Sequence, residues 1–465
     1  MDKLFTHLTN SWIQDILFLN DIYIGIPFLI LVHFLLKKYV LKNSNSPIYQ
    51  KYLMKAWYFR VFGAVMSALM YQYYYNGGDT TVYFRLSLQL QNMTFTNPGG
   101  VWATFMGSSR EDYGMLMNQL FGGASTYLTE EGTRTAILVG YILSFLGLKS
   151  YMITSYIISM FALYGCWQIF KIFYELYPHL EKQLAFACLF VPSVFFWGTG
   201  LMKDPICLGA LGMLHASSYQ IFHKRKNIFK NLFLMALSVY IIMTVKVYII
   251  LAFAPAIAVW LFARYAETIQ NKFVKIISFP ILLAIGGGFG VLILSQMASV
   301  ANRYSFDNMM RTVQDTQNWL VYSSQQQGGS FYTLGDIEFT TFGILKVFPK
   351  AVNVSLFRPY IWEALKPTLF VAAIEAIVTL YLSVMLLFKF KLNIFKFIGK
   401  IISNPDILFC FIFSIIFAFA VGFTSFNFGA LSRYKLPLIP YYFIFLVLMY
   451  DGLSKKVSKK VNNIV

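Results

Sequence analysis

Asp79 is the residue on which chemistry is most readily built. The run Tyr71-Gln72-Tyr73-Tyr74-Tyr75-Asn76-Gly77-Gly78-Asp79-Thr80 ends an apolar stretch in tyrosines, turns on two glycines and presents one carboxylate. Tyrosine favours the membrane–water boundary because its ring is apolar and its hydroxyl is wet. A Gly-Gly pair lets the backbone turn sharply. Asp79 is thereby expected at the mouth of a span, where a carboxylate can take a proton from an acceptor hydroxyl. The plainer reading is a solvated loop aspartate.

Cations stand in comparable settings further along. Lys203 and Asp204 follow the turn Gly198-Thr199-Gly200, and Lys246 stands near a hairpin tip. Arg358 and Glu363 belong to the aromatic run Phe357-Arg358-Pro359-Tyr360-Ile361-Trp362-Glu363, and Arg433, Tyr434 and Lys435 precede Pro437. Fixed cations stabilise a phosphate that gains charge as it leaves. Each also has a structural reading: lysines near helix ends snorkel, and Lys203 can simply pair with Asp204. Glu111-Asp112 is the acidic pair that could supply a second acid or hold a divalent cation. No His/Cys cluster has ligand spacing, and there is no GxSxG or Walker pattern. Cys166, Cys188, Cys207 and Cys410 read as small core residues.

The elements that must position these residues are apolar. The chain has 465 residues, 58% hydrophobic and 12% charged, with a net charge of +18; a soluble chain carries roughly twice that charged fraction. Its cations fall in short loops between apolar runs, as the positive-inside rule predicts for a polytopic membrane protein. That pattern argues against nucleic-acid binding despite the charge. The whole chain, residues 1–465, reads as a single all-α membrane domain of about eleven crossings of roughly 20 residues each.

The first twenty residues read as an amphipathic interfacial helix without a cleavable signal. Crossings follow near Ile22–Leu36, Trp57–Tyr75, Ser150–Phe170, Leu184–Trp197 and a descent to His223-Lys224-Arg225-Lys226. More are expected near Phe229–Thr244, Val247–Phe262, Ile276–Leu294, Leu369–Phe388 and Ile407–Phe423, with a last descent to Lys455. Two long outer loops separate them: 76–149, whose Thr135–Leu148 is short enough to be re-entrant or interfacial, and 295–367. The second contains an amphipathic stretch, Asn302–Gln317, and a flexible run, Ser323–Ser330. Lys51, Lys55 and Arg60 mark the first inner loop. With the N-terminus outside and the C-terminus cytoplasmic, Asp79, Lys203, Lys246, Arg358 and Arg433 fall on the outer side. Gly286-Gly287-Gly288-Phe289-Gly290 reads as close helix packing, not a phosphate loop.

Four motifs in this order carry a resemblance: Gly78-Asp79, Pro192-Ser193 through Lys203-Asp204, Phe357-Arg358-Pro359 with Trp362-Glu363, and Arg433-Tyr434-Lys435-Leu436-Pro437. The set resembles bacterial polytopic proteins with a GT-C-like glycosyltransferase fold, a group linked to envelope polysaccharide synthesis. The resemblance implies a plasma-membrane enzyme using a polyprenyl-phosphate-linked sugar, with membrane lipid and envelope proteins as partners. Asp79 matches the carboxylate of the first outer loop, although one more span precedes it than that group usually has. Two other functions fit the same residues. One is a polymerase or ligase whose outer arginines grip lipid-linked glycans. The other is a non-catalytic GT-C-like subunit of an envelope assembly machine.

Overall fold

A computed structural model describes residues 16–17, 19–107, 111–122, 125–266, 314–315, 317–318, 322, 330–335 and 341–461. Several expectations lie wholly or largely outside the described residues: the N-terminal interfacial helix, the span Ile276–Leu294 with its glycines, and the stretches Asn302–Gln317 and Ser323–Gly329. Among the described residues regular structure is helical, apart from one antiparallel bridge between Phe331 and Asn427. The chain divides into two compact units, Met1–Glu181 with Val194–Val247, and Lys182–Ser193 with Tyr248–Val465.

The first unit contains α1 (Leu19–Lys42), α2 (Met54–Leu69), α3 (Asp79–Thr96), α4 (Pro98–Met106), α5 (Glu111–Phe121), α6 (Ser125–Thr129) and α7 (Glu131–Leu146). It is completed by α8 (Tyr151–Leu176), α9 (Lys203–Ser218) and α10 (Ile228–Lys246). Helix α8 lies at its centre, with 67% of its apolar window buried, against 17% for α1. The contact between α8 and α9 is backbone-close. A Cβ on Gly212 would stand 2.1 Å from the Gly165 carbonyl oxygen. Small residues at such a crossing let helices gain dispersion contacts that a larger side chain would prevent.

Arg60 corrects one expectation. Wider π turns, Tyr49–Leu53 and Met70–Tyr74, extend α2 at both ends, so Arg60 lies inside a helix and not in a cation-rich loop. Its side chain is buried, and its guanidinium donates to the Gly198 carbonyl at 2.6 Å and to the Cys166 sulfur at 3.2 Å. Arg60 therefore holds the turn that leads into α9.

The expected first outer loop is also mostly helical, from α3 through α7. Asp79 opens α3 instead of standing in a loop. Helix α7 starts at Glu131, earlier than the apolar run beginning at Thr135, because Glu130 caps it.

The stretch Leu184–Trp197 is not one straight span. A helix over Glu181–Ala185 widens into a π turn, Phe186–Phe190, and a fresh helix begins at Pro192. Proline has no N–H to donate, so a helix start suits it better than a helix interior.

The second unit is built from α11 (Tyr248–Ala266), α12 (Thr341–Phe357), α13 (Pro367–Lys389), α14 (Ile394–Ile402), α15 (Pro405–Thr424), α16 (Phe428–Tyr434) and α17 (Leu438–Val461). Residues 295–367 are thus not loop throughout, since α12 occupies their later part. Ser330 is buried; its carbonyl accepts from the Phe428 N–H, and the Tyr332 N–H donates to the Phe426 carbonyl. Arg264 donates to Asp406 at 2.8 Å while the Trp260 indole donates to the same carboxylate at 2.7 Å. This ties α11 to the start of α15.

Among the described residues, five helices are long and apolar enough to cross a membrane: Asp21–Lys42, Tyr151–Leu176, Ile228–Lys246, Pro367–Lys389 and Pro405–Thr424. A sixth arises if Phe428–Tyr434 and Leu438–Leu453, bent by 68° at their break, form one span. The described residues have the helical, multi-pass character expected of a membrane protein, with five or six helices that could cross.

Candidate functional site

Several helix ends of the first unit meet around Asp79. Gly78, in the left-handed region at φ 143°, makes the turn before α3, and its N–H and carbonyl are both satisfied by the Thr81 hydroxyl. Asp79 then occupies the first turn of α3, where the free N–H groups and the helix dipole favour a carboxylate. Thr80 shares a 2.8 Å hydrogen bond with the Tyr151 hydroxyl at the start of α8. Asp21 accepts from the Ser150 hydroxyl at 2.6 Å and from the Met152 N–H at 2.9 Å, closing the same end of α8.

Glu130 is the cap of α7. It accepts from the Gly132 and Thr133 N–H groups, from the Thr133 hydroxyl, and from Lys203 at 3.1 Å. Lys203 opens α9 and also donates to the Thr133 hydroxyl at 3.0 Å. Burial by itself raises the Glu130 carboxyl, but the Lys203 charge and the Thr133 donors outweigh it and hold the group below its ordinary range. Tyr127 packs edge-on against Tyr83, whose hydroxyl lies 3.5 Å from that of Thr133. Partial burial, and then the charge of Asp79, push the Tyr127 phenol up. Asp79 therefore lies within electrostatic reach of Tyr127.

Lys246, at the end of α10, meets Asp204 at 2.5 Å with both side chains buried. The simple Lys203–Asp204 pair is thus replaced by two crossed pairs, Lys203–Glu130 and Lys246–Asp204. Adjacent residues at the start of a helix point in different directions, so each reaches a different neighbouring helix.

The remaining candidates belong to the second unit. Arg358 makes a two-pronged ion pair with Glu363 and lies over the rings of Tyr332, Tyr360 and Phe428 at 5.9, 5.6 and 5.1 Å. Lys435 is not at an open mouth. It is 4% exposed, sits at the α16–α17 break, and donates to the Ser355 and Arg358 carbonyls at 3.3 and 3.4 Å. It lines a small cavity together with Glu375, Thr379 and Tyr442. Glu375 in turn accepts from the Ser193 N–H at 3.1 Å. Arg433 and Tyr434 are half-buried near the end of α16, with the guanidinium 5.9 Å from the Tyr434 ring.

Glu111 and Asp112 lie in the first turn of α5, and their side chains fall outside the described residues. Among the described residues no group of three or more His, Cys, Asp or Glu could hold a metal.

Glu130 and Glu375 were legible but unselected. A carboxylate just before an apolar run suits a helix start, and a lone carboxylate inside an apolar span marks a site or a pairing. Tyr127 and Thr133 carry no such signal, because only the fold brings them beside Asp79 and Lys203.

Comparison with protein-family models, with curated proteins and with solved structures finds no match to this chain.

Proposed function

We propose that this chain is an integral-membrane glycosyltransferase that moves a sugar from a polyprenyl-phosphate carrier to an acceptor hydroxyl at the outer face of a bacterial plasma membrane. The observation that supports the reading is Asp79 in the first turn of α3, within electrostatic reach of Tyr127, together with the Lys203–Glu130–Thr133 cluster at the starts of α7 and α9. In the reaction the acceptor oxygen bonds to the anomeric carbon as the bond to the carrier phosphate oxygen breaks. The hydroxyl proton goes to Asp79, and the bonding pair leaves with the phosphate. Asp79 stands in the first turn of α3, and in this reading it serves as the base. Lys203 brings a fixed positive charge that would stabilise the leaving phosphate.

A non-catalytic subunit of an envelope machine is the second reading. It is favoured by the ionic partners that Lys203, Lys246 and Arg358 already possess. Purified protein in lipid nanodiscs, given a radiolabelled polyprenyl-phosphate sugar and candidate acceptors, separates the two. Transfer that disappears in Asp79→Asn supports the enzyme, whereas Asp79→Asn transferring at the unaltered rate removes it.

A further inference from the structure

Helix α14 connects two helices that are each able to cross a membrane, α13 and α15. It is short, and its faces differ sharply. At 3.6 residues per turn, Ile394, Phe395, Ile398 and Ile402 share one arc, and they are 51%, 84%, 45% and 47% exposed. Phe397 and Ile401 on the flank turn inward, Phe397 stacking edge-on against Phe390 at 5.5 Å. Lys396 stands on the opposite side and is exposed. The helix is fixed in place, since the Asn393 side chain caps it by accepting from the Lys396 N–H at 2.9 Å.

We infer that α14 is a membrane-surface helix that sinks its Ile394–Phe395–Ile398–Ile402 face to the acyl boundary and recognises anionic phospholipid headgroups through Lys391 and Lys396. Three observations select this occupant. The chain before and after α14 can enter the bilayer, so a short helix between the two spans lies at its surface. The exposed apolar surface is continuous with that of α13, through Phe388 and Leu392, both more than half exposed. The charge is one-signed: no acidic residue lies between Glu375 and Asp406, while Lys389, Lys391, Lys396 and Lys400 do. Of these, Lys389 is held over the Tyr450 ring and Lys400 lies against Gly452, which leaves Lys391 and Lys396 exposed. An amphipathic helix with this division of apolar and basic residues binds in the interface plane and senses lipid charge. The inference does not rest on the transferase reading.

The test places a nitroxide label on Phe395→Cys, Ile398→Cys or Lys396→Cys in the full chain, whose described native cysteines are all buried. The protein is reconstituted in phosphatidylcholine vesicles with or without phosphatidylglycerol. Labels at 395 and 398 should collide with oxygen, and the label at 396 with a water-soluble paramagnetic reagent. Phosphatidylglycerol should draw the labels at 395 and 398 deeper, raised salt should reverse that shift, and Lys391→Gln with Lys396→Gln should abolish it. Equal water exposure at 395, 396 and 398 would overturn the inference. So would labels at 395 and 398 shielded from both reagents, the mark of a protein partner. Depth indifferent to phosphatidylglycerol, or a shift that survives in the double Gln variant, would remove the headgroup claim.

Discussion

Two charge clusters, one at helix ends of the first unit and one within the second, are held in different ways. Around Asp79, the first unit pairs its ions across the ends of separate helices, and the Lys203–Glu130 pair remains partly open, with side-chain exposures of 21% and 41%. In the second unit, Lys435 and Glu375 are both buried and line one small cavity, while Arg358 is enclosed by Glu363 and three aromatic rings. Charges at helix ends are cheap to hold because free N–H and carbonyl groups and nearby water solvate them. Charges inside the protein persist only with dedicated partners, and removing one partner strands the other. The first arrangement suits chemistry with a visiting substrate, and the second suits holding helices together.

The largest expected effect tests that division directly. Asp79→Asn should lower sugar transfer by roughly 10²–10⁴-fold, the usual contribution of a positioned general base. Its unfolding temperature in detergent should stay unchanged. A large loss of thermal stability in that variant would place Asp79 with the structural ions and dissolve the contrast.

Lys435→Met should do the reverse. It should destabilise the second unit by on the order of 3 kcal/mol, because Glu375 would keep its burial and lose the facing charge. Adding Glu375→Leu should recover much of that loss. If the double variant is no better than the single one, the two groups are not coupled across their cavity.

A smaller effect is expected at Arg358. A double-mutant cycle of Arg358→Ala with Glu363→Gln, followed by denaturation in detergent, should return a coupling of about 1 kcal/mol. A near-zero coupling would mean that the aromatic rings, not Glu363, hold the guanidinium.

The smallest concerns pH. The Glu130 carboxyl is depressed in the folded protein, so its contribution to stability is full above the ordinary glutamate value of about 4.3. It is lost as pH falls through the lower folded value. For a partly exposed pair this amounts to about 1 kcal/mol or less. Unfolding temperatures of the parent and of Glu130→Gln should therefore converge on acidification below pH ~4. A gap that persists unchanged there would show that Glu130 acts as a neutral cap.

How much was readable in advance differs from residue to residue. Asp79, Lys203, Asp204 and Lys246 stood out because ionisable residues are rare beside apolar runs, and all four lie at helix ends of the first unit. Their partners were harder. Sequence adjacency suggested Lys203 with Asp204, whereas helix geometry sends the two side chains to Glu130 and Lys246. Lys435 looked like a mouth residue because it precedes Pro437, yet the 68° bend there turns it inward among Ser355, Glu375 and Tyr442.

The sequence by itself determined the helical, apolar character of this protein and the approximate places where its long helices lie. Hydrophobic run length and the scarcity of charge depend only on local composition. Tertiary structure decided which charge meets which, that Arg60 is a buried brace on the Gly198 turn and not a topology marker, and that Lys435 faces a cavity. Those outcomes depend on the directions in which side chains leave neighbouring helices and on where a helix breaks. Neither is written in the spacing of a single segment.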